Sequence, residues 1–174
     1  MGRPLGERLL LRPCPFRKTL LAGCTANPSG SWVTQQARQL AWTTSERSTP
    51  PRFLIRDHDS KFTRDFDTIF QTEEIEIIHT PVRAPQANAI AERFVRTVRS
   101  ECLDWLLILN RRHLERVLRV FVHHYNGHRP HRSLNLTPPN LQQARPRLLR
   151  PPRSDDIERR DRLGGLIHEY SLAA

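Results

Sequence analysis

The chain has 174 residues, enough for one domain with a substantial core and too few for two of ordinary size. A formal charge of +10 and a pI near 11.0 point to a polyanionic partner, nucleic acid first, although the excess of Arg over Lys is also what GC-rich coding yields. Cys14, Cys24 and Cys102, with no C-x-x-C pair, argue against a disulfide framework or a zinc ribbon, and the apolar run Leu9 to Leu11 is too short for a signal sequence or a membrane span.

Residues 1–18 show no sustained period, and Pro4, Pro13 and Pro15 are expected to interrupt any sheet ladder, so this segment stays unassigned. Residues 19–24 read as a short strand, ended by the turn chemistry of Asn27-Pro28-Ser29-Gly30. Ser31 is a candidate cap for a helix that places Val33, Ala37, Leu40 and Ala41 on one face, and the polar stretch 43–51 ends it. Phe53, Leu54 and Ile55, behind Pro50-Pro51, are expected to form a buried strand of a parallel sheet with Asp57 at its carboxyl end. Phe66, Ile69 and Phe70 suggest a short helix, and residues 75–78 a second buried strand stopped by Pro81. The order strand, helix, strand predicts a crossover in an α/β sheet.

Pro81 and Pro85 hold the loop 80–87 out of helix, and a long amphipathic helix is expected from near Asn88. Its buried face reads Ile90, Phe94, Val98, Cys102 and Leu106, with Glu92, Arg96 and Arg99 on another face. A further helix over about 112–125 buries Leu114, Val117, Leu118, Phe121, Val122 and Tyr125 and stops at Asn126-Gly127. The remainder reads as loop and an Arg- and Pro-rich tail, with a small apolar patch at 163–172. His123, His124, His128 and His131 lack nearby Cys and paired ligand spacing, so the expectation is a solvated basic loop rather than a zinc site.

An acid at a strand end and another on a neighbouring helix can converge on divalent metal although they stand far apart in sequence, and Asp57 and Glu92 are the candidate pair. Taken singly, Asp57 also reads as a turn former and Glu92 as a first-turn acid favoured by the helix dipole. Asp59 lies on the same face as Asp57 if the strand alternation continues, and is an alternative ligand. A calcium-loop reading of "DHDSKFTRDFDT" fails, since Phe62 and Thr68 stand where an EF-hand needs Gly and Glu.

The stretches "RDHDSKFT", "HTPVRAPQANAIAERFVRTVRSECLDWLL" and "HHYNGHRPHRSLNLTPP", in this order, resemble the integrase core of DDE transposases of bacterial insertion sequences and of retroviral integrases, and "LGGLIHEY" resembles the end of such transposases. The resemblance implies an α/β, ribonuclease H-like fold with long C-terminal helices, Mg²⁺ or Mn²⁺ as cofactor, and DNA strand cleavage and joining. It places the second catalytic, metal-binding carboxylate on Asp57 and the third on Glu92. Lys61, Arg93, Arg96 and Arg99 are then candidate DNA-binding residues beside the metal site. The implied partners are transposon-end and target DNA and further copies of the chain, with no membrane, in the bacterial cytoplasm near the nucleoid.

The family's triad opens with an Asp on the first central strand. Here Asp57 is the first Asp, and Glu7 and Glu46 are the only earlier acids, neither on a predicted strand. The expected core is therefore incomplete, lacking the first strand and its Asp: residues 1–18 do not match, 19–139 form a partial catalytic core, and 140–174 form the tail. Metal binding is expected to be weakened and catalysis impaired. A non-catalytic DNA-binding transposase remnant, or a generic basic nucleic-acid-binding protein, are the alternatives. Without its first strand, the sheet is also expected to leave the strand before Asp57 with an open edge.

Overall fold

The computed structural model describes residues 8–11, 18–47, 50–81, 89–141 and 153–173. It is a mixed α/β protein in which the strands among the described residues form three two-stranded sheets. The described residues group into two compact units, one holding Leu20–Thr97 with the strand at residues 8–11, the other Val98–Ala174 with the residues just before Leu20. Among the described residues no helix is long and apolar enough to cross a membrane.

In the first unit, β1 (Arg8–Leu11) pairs antiparallel with β2 (Leu20–Cys24). This corrects the expectation that Pro4, Pro13 and Pro15 interrupt any sheet ladder in residues 1–18, a segment otherwise left unassigned. The four-residue run fits between Pro4 and Pro13, so the prolines bound the ladder instead of interrupting it. The register skips one residue of β2 between Leu9 and Leu10, a bulge.

Helix α1 (Gly30–Ser45) is capped by Ser29, whose Oγ accepts a hydrogen bond from the Trp32 N–H at 3.2 Å. Ser31, the expected cap, lies one step inside the first turn, where its hydroxyl meets that of Ser29 at 2.9 Å. Pro28 favours extended backbone in the chain arriving at the helix, and Ser29, with φ −96° and ψ 161°, is the last extended residue and therefore the one placed to cap. Val33, Ala37, Leu40 and Ala41 of α1 form a core with Leu54, Phe66, Phe70 and Ile75. Phe66 and Phe70, in α2 (Arg64–Thr72), meet edge to face with centroids 5.1 Å apart, and full burial of each ring stabilises the unit by about 1.5–3 kcal/mol.

The strands β3 (Phe53–Arg56) and β4 (Glu76–His79), joined through α2, pair in parallel, with Leu54 opposite Ile77 and Ile55 opposite Ile78. Leu54 and Ile77 face the helical core. Phe53 and Ile55, 48% and 60% exposed, and Ile78 are on the other face, so β3 is not the fully buried strand expected from its composition. The helices α1 and α2 pack on one face of the pair, and the alternation of side chains leaves every second apolar residue on the uncovered one.

Helix α3 (Ala89–Glu101) begins in the first unit and ends in the second. Phe94, Val98 and the following Cys102 are buried as expected, whereas Ile90 is 54% exposed and Leu106 only partly buried. Ile90 sits in the first turn, ahead of the packed stripe. The helix ends at Glu101 and gives way to a tight helical turn at Leu103–Trp105, which breaks the period that would have aligned Leu106. The expected loop over 82–87 and the helix start at Asn88 lie outside the described residues.

In the second unit, Asn110 caps α4 (Arg111–Gly127) by accepting from the His113 N–H at 2.9 Å. Its buried face is Leu114, Val117, Leu118, Phe121 and Tyr125, with Val122 partly buried. The tail, expected to be irregular, ends in a hairpin: β5 (Ile157–Arg162) and β6 (Ile167–Leu172) pair antiparallel over six residues each. The reversal uses left-handed backbone at Leu163, Gly164 and Gly165, with φ of 51°, 70° and 89°, which glycine adopts without steric cost.

Candidate active site

β3 ends at Arg56, and the next five residues form a turn built from their own side chains. The Arg56 guanidinium grips Asp67 of α2 with Nε–Oδ1 2.8 Å and Nη2–Oδ2 2.6 Å, and its Nη1 donates to the Asp57 carbonyl at 2.8 Å. This two-pronged pair fixes where the chain leaves the sheet. Asp57 follows at once, half-buried, with Oδ1 accepting from the Asp59 N–H at 3.1 Å. Among the described residues its second oxygen, Oδ2, makes no hydrogen bond.

Asp59 is held differently. Its Oδ1 accepts from the Lys61 N–H at 2.9 Å and its Oδ2 pairs with Lys61 Nζ at 3.2 Å. The backbone hydrogen bond from Lys61, followed by its side chain and charge, outweighs burial and holds the Asp59 carboxyl below the ordinary range. The strand alternation that would have put Asp59 beside Asp57 stops at Arg56, so the two acids serve successive turns instead of one face. Lys61, expected to meet DNA, is engaged by Asp59. Sequence reasoning did not single out His58 and His79, whose rings meet edge to face at 5.1 Å, nor Asp67, which lies 4.0 Å from His79 Nε2.

Glu92 lies in the first turn of α3, exposed, in the same compact unit as Asp57. At 100° per residue Arg96 and Arg99 fall within about 60° of it around the helix, and Arg93 stands a further step round. Arg93 and Arg96 are exposed, while Arg99 Nε lies 3.7 Å from Asp104 Oδ1. In the second unit Arg111, Arg112 and Arg116 are exposed, but Arg119 pairs with Glu115 at 2.6 Å and Arg129 grips Glu101 through two contacts of 2.5 and 2.8 Å.

Of the four histidines expected in a solvated loop, His123 and His124 lie within α4, and only His123 is exposed. His131 is 4% exposed, its Nε2 lies 3.1 Å from the Tyr125 carbonyl and its ring stands edge to face on Tyr125. Glu169 of β6 is also 4% exposed and takes Arg162 Nε on Oε2 at 3.0 Å, with His128 Nε2 at 3.7 Å and His124 Nδ1 3.5 Å from Oε1. Burial raises the Glu169 carboxyl, but Arg162 and the neighbouring imidazoles outweigh it and the net shift is downward; burial lowers His124. The acid that organises these rings is distant in sequence, so no local spacing signals it. The alternation of buried Ile167 and Glu169 is the only trace.

Residues 73–139 match the family model described as Integrase core domain, a stretch well under half of the chain that contains Glu92 and leaves Asp57 outside it. No curated protein matches the chain. An integrase core domain implies a ribonuclease H-like fold, with which the mixed α/β architecture and the parallel β3–β4 pair agree. The match over residues 73–139 is to the integrase core domain that the motifs within them resemble.

Proposed function

We propose that this chain is of the transposase and integrase type, acting in DNA integration, and that Asp57 and Glu92 are the carboxylates that hold its divalent metal. The observation that carries the reading is the placement of Asp57. It stands directly at the carboxyl end of a parallel strand pair, where α/β sheets bind ligands, in the same compact unit as the helix whose first turn presents Glu92. Both offer hard oxygen donors, which suit Mg²⁺ or Mn²⁺. Such ions, when bound, activate the attacking oxygen and stabilise the leaving oxygen of a phosphodiester. Arg56 and Asp67 position Asp57, and Lys61 keeps Asp59 out of competition for the ion.

Residues 19–139 are the partial catalytic core in this reading, flanked by residues 1–18 and a basic tail at 140–174. It has two of the three carboxylates of the family triad, so metal affinity is weak and strand transfer by these residues alone falls far below that of a complete site. The partners are transposon-end and target DNA and further copies of the chain, in the bacterial cytoplasm. The exposed Arg93, Arg96, Arg111, Arg112 and Arg116 favour one alternative, a DNA-binding role without catalysis. Titration of the purified chain with Mn²⁺, followed by electron paramagnetic resonance, tests the assignment. Asp57→Asn and Glu92→Gln are each expected to weaken binding by at least about tenfold. Asp59→Asn, which keeps its turn, is expected to stay within about twofold of the native chain. Equal Mn²⁺ affinity in the Asp57→Asn, Glu92→Gln and native proteins would remove both residues from the site.

A further inference from the structure

The end of α4 and the strand β6 bring together a second set of metal-ligating side chains, chemically unlike the carboxylates of the first unit. One ligand atom each from His123, His128 and Glu169 lie within 4.8 Å of one another. His128 Nε2 is 3.7 Å from Glu169 Oε2, and the His123 and His128 rings are centred 5.9 Å apart. Ligands at about 2.0–2.1 Å from a tetrahedral ion are roughly 3.3 Å apart, so closure requires side-chain shifts of about 1 Å. His123 is exposed and His128 partly so, which leaves both rings room to make them.

Glu169 supplies the independent observation. Its side chain is 4% exposed, and although Arg162 occupies Oε2, Oε1 is buried without any hydrogen bond, as is His124 Nδ1, which faces it at 3.5 Å. A buried carboxylate oxygen whose one polar contact is an imidazole nitrogen at 3.5 Å is costly, and an ion at the carboxylate relieves that cost. We propose that His123, His128 and the Glu169 carboxylate bind a borderline divalent transition-metal ion of the Zn²⁺ type that fastens the C-terminal hairpin to the end of α4. Two imidazoles and one carboxylate form a donor set that suits Zn²⁺ and not Mg²⁺, with a fourth position left for water. Arg162 opposes the ion electrostatically and holds Oε2, the oxygen His128 approaches, so the ion competes with Arg162 for the carboxylate. The site shares no residue with Asp57 or Glu92, so either assignment can fail without the other.

The test uses the full chain without a polyhistidine tag, stripped with chelator and then titrated with Zn²⁺ while Tm and calorimetric stoichiometry are recorded. One ion per chain is expected, with Tm rising as the logarithm of free Zn²⁺ above Kd and no comparable rise with Mg²⁺. His123→Gln, a change at an exposed side chain that leaves the fold intact, and His128→Gln are each expected to lose most of the Zn²⁺-dependent rise, and a chain carrying Asp57→Asn and Glu92→Gln to keep it. No Zn²⁺-dependent rise in the native chain, or a full rise in His123→Gln, overturns the proposal.

Discussion

At the scale of single residues, Asn126 has the clearest stability role in the second unit. Its Oδ1 accepts from the Thr19 N–H at 2.9 Å and its Nδ2 donates to the Thr19 carbonyl at 2.8 Å, with both residues buried. One amide thus satisfies both backbone groups of a residue 107 positions away. Asn126→Ala leaves a donor and an acceptor in the interior unpaired, at about 1–3 kcal/mol each, so a loss of about 2–6 kcal/mol is expected in urea unfolding, with an unchanged m-value. Asn126 beside Gly127 reads in sequence as a helix stop, and the helix does end there. Its bond to Thr19 has no sequence signature, because hydrogen-bond partners across a fold follow no period. Glu169 was hidden for the same reason. The place of Asp57 was legible because it depends on local order, an acid directly after an apolar strand.

Elements were legible where burial sets the pattern. α1, α2 and α4 each place aromatic or aliphatic residues at helical spacing against a core, and that spacing survives in the sequence. β5 has no such imprint: its first five residues are exposed, and its stability comes from the backbone ladder and from cross-strand polar contacts, as in Asp161 facing His168 at 2.7 Å. β1 and β3 mislead in opposite ways, β1 because its flanking prolines suggested no ladder at all, and β3 because an apolar triplet was taken to be covered on both faces. Helix boundaries depend on one hydrogen bond, and α1 offers a direct comparison between two serines. Ser29→Ala removes the acceptor for the Trp32 N–H and is expected to destabilise the first unit by about 0.5–2 kcal/mol. Ser31→Ala removes only a hydroxyl contact at an exposed site and is expected to stay within about 0.5 kcal/mol of the native chain in the same thermal or urea melts. A larger effect at Ser31 than at Ser29 would move the cap.

For the whole molecule, the 28 Lys and Arg residues overstate the number of cations open to a polyanion, because Arg56, Lys61, Arg119, Arg129, Arg159 and Arg162 are held by carboxylates. Arg93, Arg96, Arg111, Arg112 and Arg116 are exposed and make no ion pair among the described residues. If about four or five of these meet phosphates, the slope of log K against log salt is about −4, and duplex affinity falls by roughly two to three orders of magnitude between 50 and 200 mM salt. Arg96→Ala is then expected to reduce the slope by about one, whereas Arg119→Ala, already neutralised by Glu115, is expected to change it by less than half of that. Fluorescence anisotropy over a salt series, on a transposon-end duplex and on an unrelated duplex, separates the contributions. The phosphate term is common to both duplexes, so equal slopes with tighter binding to transposon ends support integrase-type recognition. Equal slopes with equal affinity leave only a sequence-blind basic protein, and a slope near zero would show that the unpaired arginines do not meet the backbone at all.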